Sequence, residues 1–155
     1  MEEYLPESDF LCLVISGEVG FEGEFGDRNL ALLTNMLDDV IDSNRDWAAH
    51  FLAHCDDDSS AIRAGLLKAA KDPHFGTQFG GMLGLAMRKV EGVETLILQA
   101  LEGEGVGDVL FDAARFVGSA ALLPALEEIQ LWWDLDDWCL KQAIESCKAG
   151  VGAQY

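Results

Sequence analysis

The feature that most constrains the fold is an apolar pattern of helical period, which itself repeats about every 30 residues along the 155-residue chain. Equivalent apolar positions in alternate blocks are 29 to 33 residues apart; they are Leu52, Leu85 and Phe116 in one series and Leu66, Ile97 and Leu126 in the other. A helical hairpin of about 30 residues cannot bury its apolar face except against a neighbouring copy. The pattern therefore predicts an all-α protein, and specifically a short α-solenoid of stacked helical hairpins.

Capping signals divide the chain into about eight helices. Ser59 suits an N-cap, because its side-chain oxygen can accept a hydrogen bond from a free backbone amide of the first turn. Asp27 could cap an earlier helix in the same way. Asp72 followed by Pro73 predicts a further helix start, with the proline at the first helical position, where its missing N–H is harmless.

The first 26 residues fit the helical pattern less well than the rest. The apolar run at 10–15 suits a buried strand as well as a short helix capped by Ser8, and we favour the helix. The length of the chain fits a single domain. We expect residues 1–26 to form an N-terminal segment packed on or capping the solenoid, and residues 27–155 to form the repeat domain.

The charge balance excludes several classes of partner. The chain has 28 acidic and 10 basic side chains, which gives a net charge of −18 at neutral pH. A field of this sign repels phosphates, so we expect no nucleic-acid partner and no membrane partner. Residues 61–90 reverse the sign locally, and we expect their basic side chains to pair within the protein; these are Arg63, Lys68, Lys71, Arg88 and Lys89.

The sequence also indicates a compartment. It begins Met1-Glu2-Glu3 without a basic leader, and no apolar run approaches the roughly 20 residues of a membrane span. The cysteines form no C-x-x-C pair, and we expect them to be reduced and buried; they are Cys12, Cys55, Cys139 and Cys147. We therefore predict a cytoplasmic protein.

Five segments carry a resemblance to a known superfamily: Arg45-Asp46-Trp47-Ala48, Asp56-Asp57-Asp58-Ser59-Ser60-Ala61-Ile62-Arg63, Lys71-Asp72-Pro73, Gly84-Leu85-Ala86-Met87-Arg88 and Leu122-Leu123-Pro124-Ala125-Leu126. Together they resemble the HEAT-repeat superfamily, in particular its small acidic bacterial members, over about residues 27–148. The resemblance implies the solenoid. It also implies partner binding more often than catalysis, because repeats of this kind only occasionally carry enzymes.

One predicted helix departs from the pattern of the superfamily. Gly76, Gly80, Gly81 and Gly84 crowd it, at a cost of about 1 kcal/mol each relative to alanine. Gln78 also stands where such repeats often have arginine. The helix either packs unusually close to a neighbour or is loosely held. Because a glycine face lets two backbones approach, we favour close packing.

No motif for catalysis is convincing. His50 and His54 have the spacing of two metal ligands on a helix, but Phe51 stands where an H-E-x-x-H motif has its glutamate. We expect both histidines at the edge or on the exposed face of their helix. The glycine-rich stretch 103–107 follows no strand and is flanked by acids, which favours a simple connection between helices. We predict no catalytic residue, no bound metal and no cofactor.

Two acidic stretches are the candidate contact sites. The first is Asp56-Asp57-Asp58, and the second lies in residues 132–138, where three tryptophans stand among three aspartates. An exposed tryptophan beside carboxylates suits a partner with arginine or lysine, although core packing of all three rings is the alternative. We expect Trp47 in the core. The predicted partner-binding residues are Asp56, Asp57, Asp58, Trp133, Asp134, Asp136 and Asp137.

These features favour a non-enzymatic module whose acidic surface engages a basic protein. The most concrete version, by analogy with small acidic HEAT-like proteins, is an immunity protein that neutralises a cationic nuclease-type toxin. The alternatives are a HEAT-repeat adaptor or assembly factor in a larger complex, and a metal-dependent enzyme built on His50 and His54. HEAT-like DNA glycosylases are a further comparison, but they need a basic groove that the charge count opposes.

Overall fold

The computed structural model describes residues 3–155, and it is all-helical over that range. The nine α-helices of the described residues are α1 (Asp9–Ile15), α2 (Gly26–Asn35), α3 (Asp42–His54), α4 (Ser60–Ala69), α5 (Phe75–Met87), α6 (Val93–Leu101), α7 (Asp108–Val117), α8 (Leu123–Gln130) and α9 (Trp138–Ala149). Two short 3-10 turns, Met36–Asp38 and Ala120–Leu122, precede α3 and α8. The prediction of an all-α protein is confirmed. None of these helices has the length and apolarity needed to span a bilayer.

The chain divides into two compact units, and the boundary between Gly81 and Met82 falls inside α5. In the first unit, α3 contacts α1, α2 and α4. The large side chains that this packing buries completely are Leu11, Leu33, Leu52, Ile62 and Leu66. The boundary predicted at residue 26 stays a prediction.

Local capping signals predicted two helix starts correctly and two less well. The hydroxyl of Ser8 accepts a hydrogen bond from the amide of Leu11, and that of Ser59 accepts one from Ile62. Asp27 is not the cap of α2, because the helix already begins at Gly26 and Asp27 lies in its first turn. There the carboxylate still interacts favourably with the positive end of the helix dipole.

Helix α5 begins two residues later than the position of Pro73 predicts, at Phe75. The reason lies in Asp72, whose carboxylate accepts hydrogen bonds from the guanidinium of Arg45 at 2.9 and 3.2 Å and from the amide of His74 at 2.9 Å. Burial alone would raise the pKa of Asp72, but the hydrogen bonds from Arg45 and His74 outweigh it and lower the pKa. This carboxylate therefore joins two helices as well as shaping the entry to α5.

The glycine face of α5 packs closely, as predicted, in the part that belongs to the first unit. A Cβ atom on Gly80 would lie 3.2 Å from the Cβ of Ala49 on α3. A Cβ atom on Gly81 would lie 2.3 Å from the amide nitrogen of Ala70 and 2.7 Å from the carbonyl oxygen of Leu66. Because these last two obstacles are backbone atoms, α5 approaches the end of α4 at a distance that only glycine permits.

Residues 4–8, which we call the N-terminal strap, lie against α3. The buried side chain of Asn44 accepts hydrogen bonds from the amides of Glu7 and Ser8, both at 2.9 Å. At the other end of the strap, the indole Nε1–H of Trp47 donates to the carbonyl oxygen of Tyr4 at 3.2 Å. Trp47 is only half-buried, so its predicted place in the core is wrong. It instead holds the strap.

In the second unit, α7 and α9 form the most extensive helix pair. Leu110, Phe111 and Leu140 are among the side chains that this pair buries. Of the four cysteines, only Cys147 is buried, so the expectation that all four are core residues is wrong. Burial raises the pKa of the Cys147 thiol to about 11.

The basic side chains of residues 61–90 find partners in more than one way. Arg63 pairs with Asp58 and Lys68 with Asp38, both at the surface of the first unit. The ammonium of Lys89, in contrast, donates to the backbone carbonyl oxygens of Phe116, in the last turn of α7, and of Ala153, in the C-terminal tail. Ion pairing is thus confirmed for Arg63 and Lys68, whereas Lys89 binds carbonyl groups.

Candidate functional site

The acidic stretch between α3 and α4 is exposed, as a contact site requires. Asp56, Asp57 and Asp58 all lie at the surface. Asp58 is already engaged, because Arg63 holds both of its oxygens at 2.8 and 2.7 Å. Half-exposed ion pairs of this kind contribute little to stability. The charge of Asp58 is therefore partly neutralised within the protein.

The second predicted site is the link between α8 and α9, which we call the tryptophan segment (residues 131–138). Four of its side chains are large, apolar and exposed: Leu131 at 85%, Trp132 at 62%, Leu135 at 70% and Trp138 at 61%. Asp134 and Asp136 are exposed beside them. Apolar and acidic side chains thus share one short stretch of surface, which suits a partner that presents both aliphatic and cationic groups.

Trp133 and Asp137 make contacts within the protein, unlike their exposed neighbours. The indole of Trp133 packs edge-on against the buried ring of Phe111, with the ring centroids 5.5 Å apart. Its Nε1–H donates to a carboxylate oxygen of Asp137 at 2.6 Å, while the other oxygen accepts the amide of Leu140 and caps α9. These two predicted contact residues therefore shape the segment from within, and Trp132 and Trp138 present their rings to solvent.

The sequence reasoning did not single out the exposed Leu131, Trp132, Leu135 and Trp138, although the helical period contained part of the signal. The core positions of α8 continue from Leu126 and Ile129 to Trp133 at steps of three and four residues. That register places Trp133 inward and leaves Leu131 and Trp132 outside the apolar stripe.

A shallow cleft adjoins Trp132. It has a volume of about 190 Å³, and its lining includes the carboxyl-bearing side chains of Glu102 and Glu128. An aromatic wall beside two carboxylates attracts a cationic side chain through both cation–π and charge interactions. The cleft thus extends the mixed apolar and acidic character of the tryptophan segment within the second unit.

Asp137 also meets Asp108, the first residue of α7. Asp108, Asp137 and the thiol of Cys139 bring one possible ligand atom each to within 4.8 Å of one another. Burial and the charge of Asp137 raise the pKa of Asp108. Burial alone would raise the pKa of Asp137, but hydrogen bonds from the Leu140 amide and the Trp133 indole outweigh it and lower the pKa. Of the two carboxyls, Asp108 therefore takes up a proton first as the pH falls.

The thiol in this group is a poor metal ligand at neutral pH. Burial and the nearby carboxylates, with Asp112 contributing most among them, raise the pKa of Cys139 to about 11. A thiol with so high a pKa stays protonated, whereas metal coordination needs the thiolate.

His50 and His54 are exposed on one face of α3, as predicted. Their rings are in contact at a centroid distance of 4.6 Å but tilted by 41°, and the Nδ1 of His54 lies 2.9 Å from the carbonyl oxygen of His50. Within residues 3–155, neither histidine belongs to a group of three potential metal ligands. The geometry therefore gives the metal-dependent alternative no specific support.

Known proteins give one line of comparison. No family model matches the chain. Protein YibA from Escherichia coli K12, and likewise YibA from E. coli O157:H7, is 29% identical over 119 residues, which are 77% of this chain and 42% of YibA. The X-ray structure of E. coli YibA aligns at a TM-score of 0.62 and 28% identity, over 77% of this chain and 43% of that one. The chain spans about two fifths of the length of these bacterial relatives.

Proposed function

We propose that this chain is a non-enzymatic protein-binding module whose acidic surface engages a basic protein. The observation that carries the proposal is the tryptophan segment, where Trp132 and Trp138 are exposed close in sequence to Asp134 and Asp136. Large apolar side chains held in water at one place are typical of contact surfaces, and aromatic side chains often dominate binding energy. The carboxylates around them select a partner of opposite charge.

The net charge of −18 adds a long-range component. It attracts a basic protein before contact, which raises the association rate and makes that rate fall with added salt. The apolar side chains act only at contact, and they set the lifetime of the complex. The two kinds of residue can therefore be separated by kinetics.

The architecture we propose is the short α-solenoid of HEAT-like hairpins. One observation supports it. The apolar positions spaced by 29 to 33 residues fall on alternate helices, with Leu52 on α3 and Phe116 on α7, and each member of both series is buried. Repeats of this kind serve mainly as binding surfaces.

In its most specific form, the proposal makes the chain an immunity protein for a cationic nuclease-type toxin. A nuclease carries a basic surface for its polyanionic substrate. An acidic protein can cover that surface without any chemistry of its own. The cytoplasm, where such a nuclease would act, is the proposed location.

The test measures binding kinetics with a purified partner. The partner is recovered by affinity capture on the tagged chain, identified, purified separately and then bound to the chain at low and at raised salt. We expect a basic protein whose association slows with salt. If it is a nuclease, one equivalent of the chain abolishes its cleavage of DNA or RNA; a basic, non-nuclease subunit of a stable assembly would overturn the immunity proposal in favour of the adaptor.

Three sets of substitutions assign the contributions. Trp132→Ala with Trp138→Ala is expected to accelerate dissociation at least about tenfold. Asp134→Asn with Asp136→Asn is expected to slow association and leave dissociation nearly unchanged. Replacing 56–58 together by asparagine tests the other acidic stretch by the same measurement, with helicity unchanged.

The matched control is Val40→Ala, which removes an exposed apolar side chain from the first unit, where Val40 is 92% exposed. It should alter neither rate. Wild-type kinetics in all three sets of variants, or a partner without excess positive charge, would contradict the proposed surface.

A further inference from the structure

The N-terminal strap and helix α3 line an open cavity of about 190 Å³ that the proposed contact surfaces do not use. Its lining is Tyr4 from the strap and Asp46, Trp47 and His50 from α3. His50 follows Asp46 by four residues and Trp47 by three, so the three side chains share one side of the helix. The strap adds the second benzenoid ring. The cavity thus combines aromatic faces, an imidazole and one carboxylate.

The carboxylate of Asp46 has no cationic partner among residues 3–155. It accepts a hydrogen bond from the hydroxyl of Tyr4, which donates to Oδ2 at 3.0 Å. The neighbouring acids of this region are differently placed, because Asp42 and Asp72 share the guanidinium of Arg45 at 2.7 and 2.9 Å. Asp46 is therefore a negative charge beside aromatic rings without a counter-ion in the described part of the chain.

The other two titratable groups of the cavity stay neutral at neutral pH. Partial desolvation of the His50 ring, which lies against Trp47 and Phe51, lowers its pKa most, and the proximity of His54 lowers it further, although Asp46 opposes this. Burial and the hydrogen bond to Asp46 raise the pKa of Tyr4 to about 12. The lining thus carries a single negative charge, and no group in it repels a cation.

We propose that this cavity binds a guanidinium group at the end of an arginine side chain. A guanidinium is planar, so it stacks on the faces of Tyr4 and Trp47, and its N–H groups match the carboxylate of Asp46. The binding step is independent of the proposed function, since a small molecule can demonstrate it. A basic protein partner would be the natural source of the arginine, and to that extent the two proposals are linked.

The probe is N-acetyl-arginine-methylamide, added to the full chain while the indole N–H signals are followed by NMR. The Trp47 signal is identified by its loss in Trp47→Phe. We expect it to shift saturably with arginine at millimolar concentration. N-acetyl-citrulline-methylamide, which keeps the shape but lacks the charge, should give no saturable shift. An equal response to the two probes would overturn the proposal, and tetramethylammonium binding as tightly as arginine would overturn the preference for a guanidinium.

Substitutions then test the individual groups. Asp46→Asn should weaken arginine binding at least about tenfold, because it removes the charge-assisted contact. Asp27→Asn removes the same charge from an exposed position of the same unit and should leave binding unchanged. If Asp46→Asn does not fold, as judged by circular dichroism, His50→Lys serves instead: it places a positive charge at an exposed cavity position and should abolish binding. Wild-type affinity in the folded variant would refute the site.

These outcomes are distinct from those of the partner-binding test. The small probe needs no partner and does not involve the tryptophan segment. Loss of partner binding in the Trp132 and Trp138 variants therefore says nothing about the cavity, and failure of the arginine probe leaves the proposed contact surface intact.

Discussion

Replacing Gly81 by alanine tests the close contact between α5 and the end of α4. In an unhindered helix this change stabilises by about 1 kcal/mol, because alanine is the better helix former. Here the added Cβ would lie 2.3 Å from the Ala70 nitrogen and 2.7 Å from the Leu66 oxygen. Both are backbone atoms, so the helices must move apart, and overpacking of this kind costs about 1–3 kcal/mol or more.

We place the cost at the upper end of that range, because no side-chain rotation relieves it. The net effect is then a loss of about 2 kcal/mol in the free energy of unfolding. For a chain of this length that corresponds to a melting temperature lower by about 4–8 °C. Urea unfolding followed by circular dichroism at neutral pH measures the free energy directly.

The matched control is Gly65→Ala in α4, also in a helix of the first unit. Its Cβ would meet only the ends of flexible side chains, at 3.4 Å from Leu37 and 3.5 Å from Thr34. We expect this variant to be as stable as the wild type, or up to about 1 kcal/mol more stable. The reasoning is refuted if Gly81→Ala is no less stable than the wild type, or if both variants lose the same free energy.

Three further predictions concern the strap, the carboxyl pair and the cavity. Asn44→Ala should lower the free energy of unfolding by about 1–3 kcal/mol, because two strap amides lose their acceptor, and amide hydrogen exchange should rise first at those two positions. The pKa of Asp108 is raised in the folded state, so this carboxyl stabilises the fold fully only while it is protonated, below its ordinary pKa of 3.8. That stabilisation is lost as the pH rises through the folded pKa. Asp108→Asn should therefore melt at a higher temperature than the wild type at pH 7, and the gain should vanish at pH 3; a gain that persists there would rule out repulsion by Asp137 as its cause. Arginine binding to the cavity should be constant from pH 8 to 7 and weaken below pH 6.5 as His50 becomes charged. A loss of binding already between pH 8 and 7, followed through the Trp47 signal, would contradict a neutral His50.

Features that depend on neighbours in sequence could be predicted well. The helical period and its repeat gave the all-α fold, and the caps at Ser8 and Ser59 follow from side chains that bond to amides three residues away. The start of α5 was misplaced because Asp72 bonds to Arg45, which is 27 residues distant. No local rule contains that interaction.

The candidate sites show the same division. The exposure of the acids at 56–58 follows from their position in a polar loop between two helices. The sequence could not assign each tryptophan of 132–138 to the core or to the surface. A large apolar ring is usually buried, but burial needs a neighbouring element that covers it, and the sequence does not show which rings are covered. The cavity between the strap and α3 could not be predicted from the sequence, since Tyr4 and Asp46 are 42 residues apart and come into contact only because the strap packs on α3.

The strap makes one wall of the cavity removable. Whenever residues 4–8 lift from α3, the ring of Tyr4 departs and the cavity ceases to exist, so occupancy and strap docking are thermodynamically linked. A bound cation must then protect this stretch from proteases in proportion to its concentration. By the same linkage, a fusion partner or tag that displaces the start of the chain from α3 would weaken ligand binding, although it changes no residue of α3.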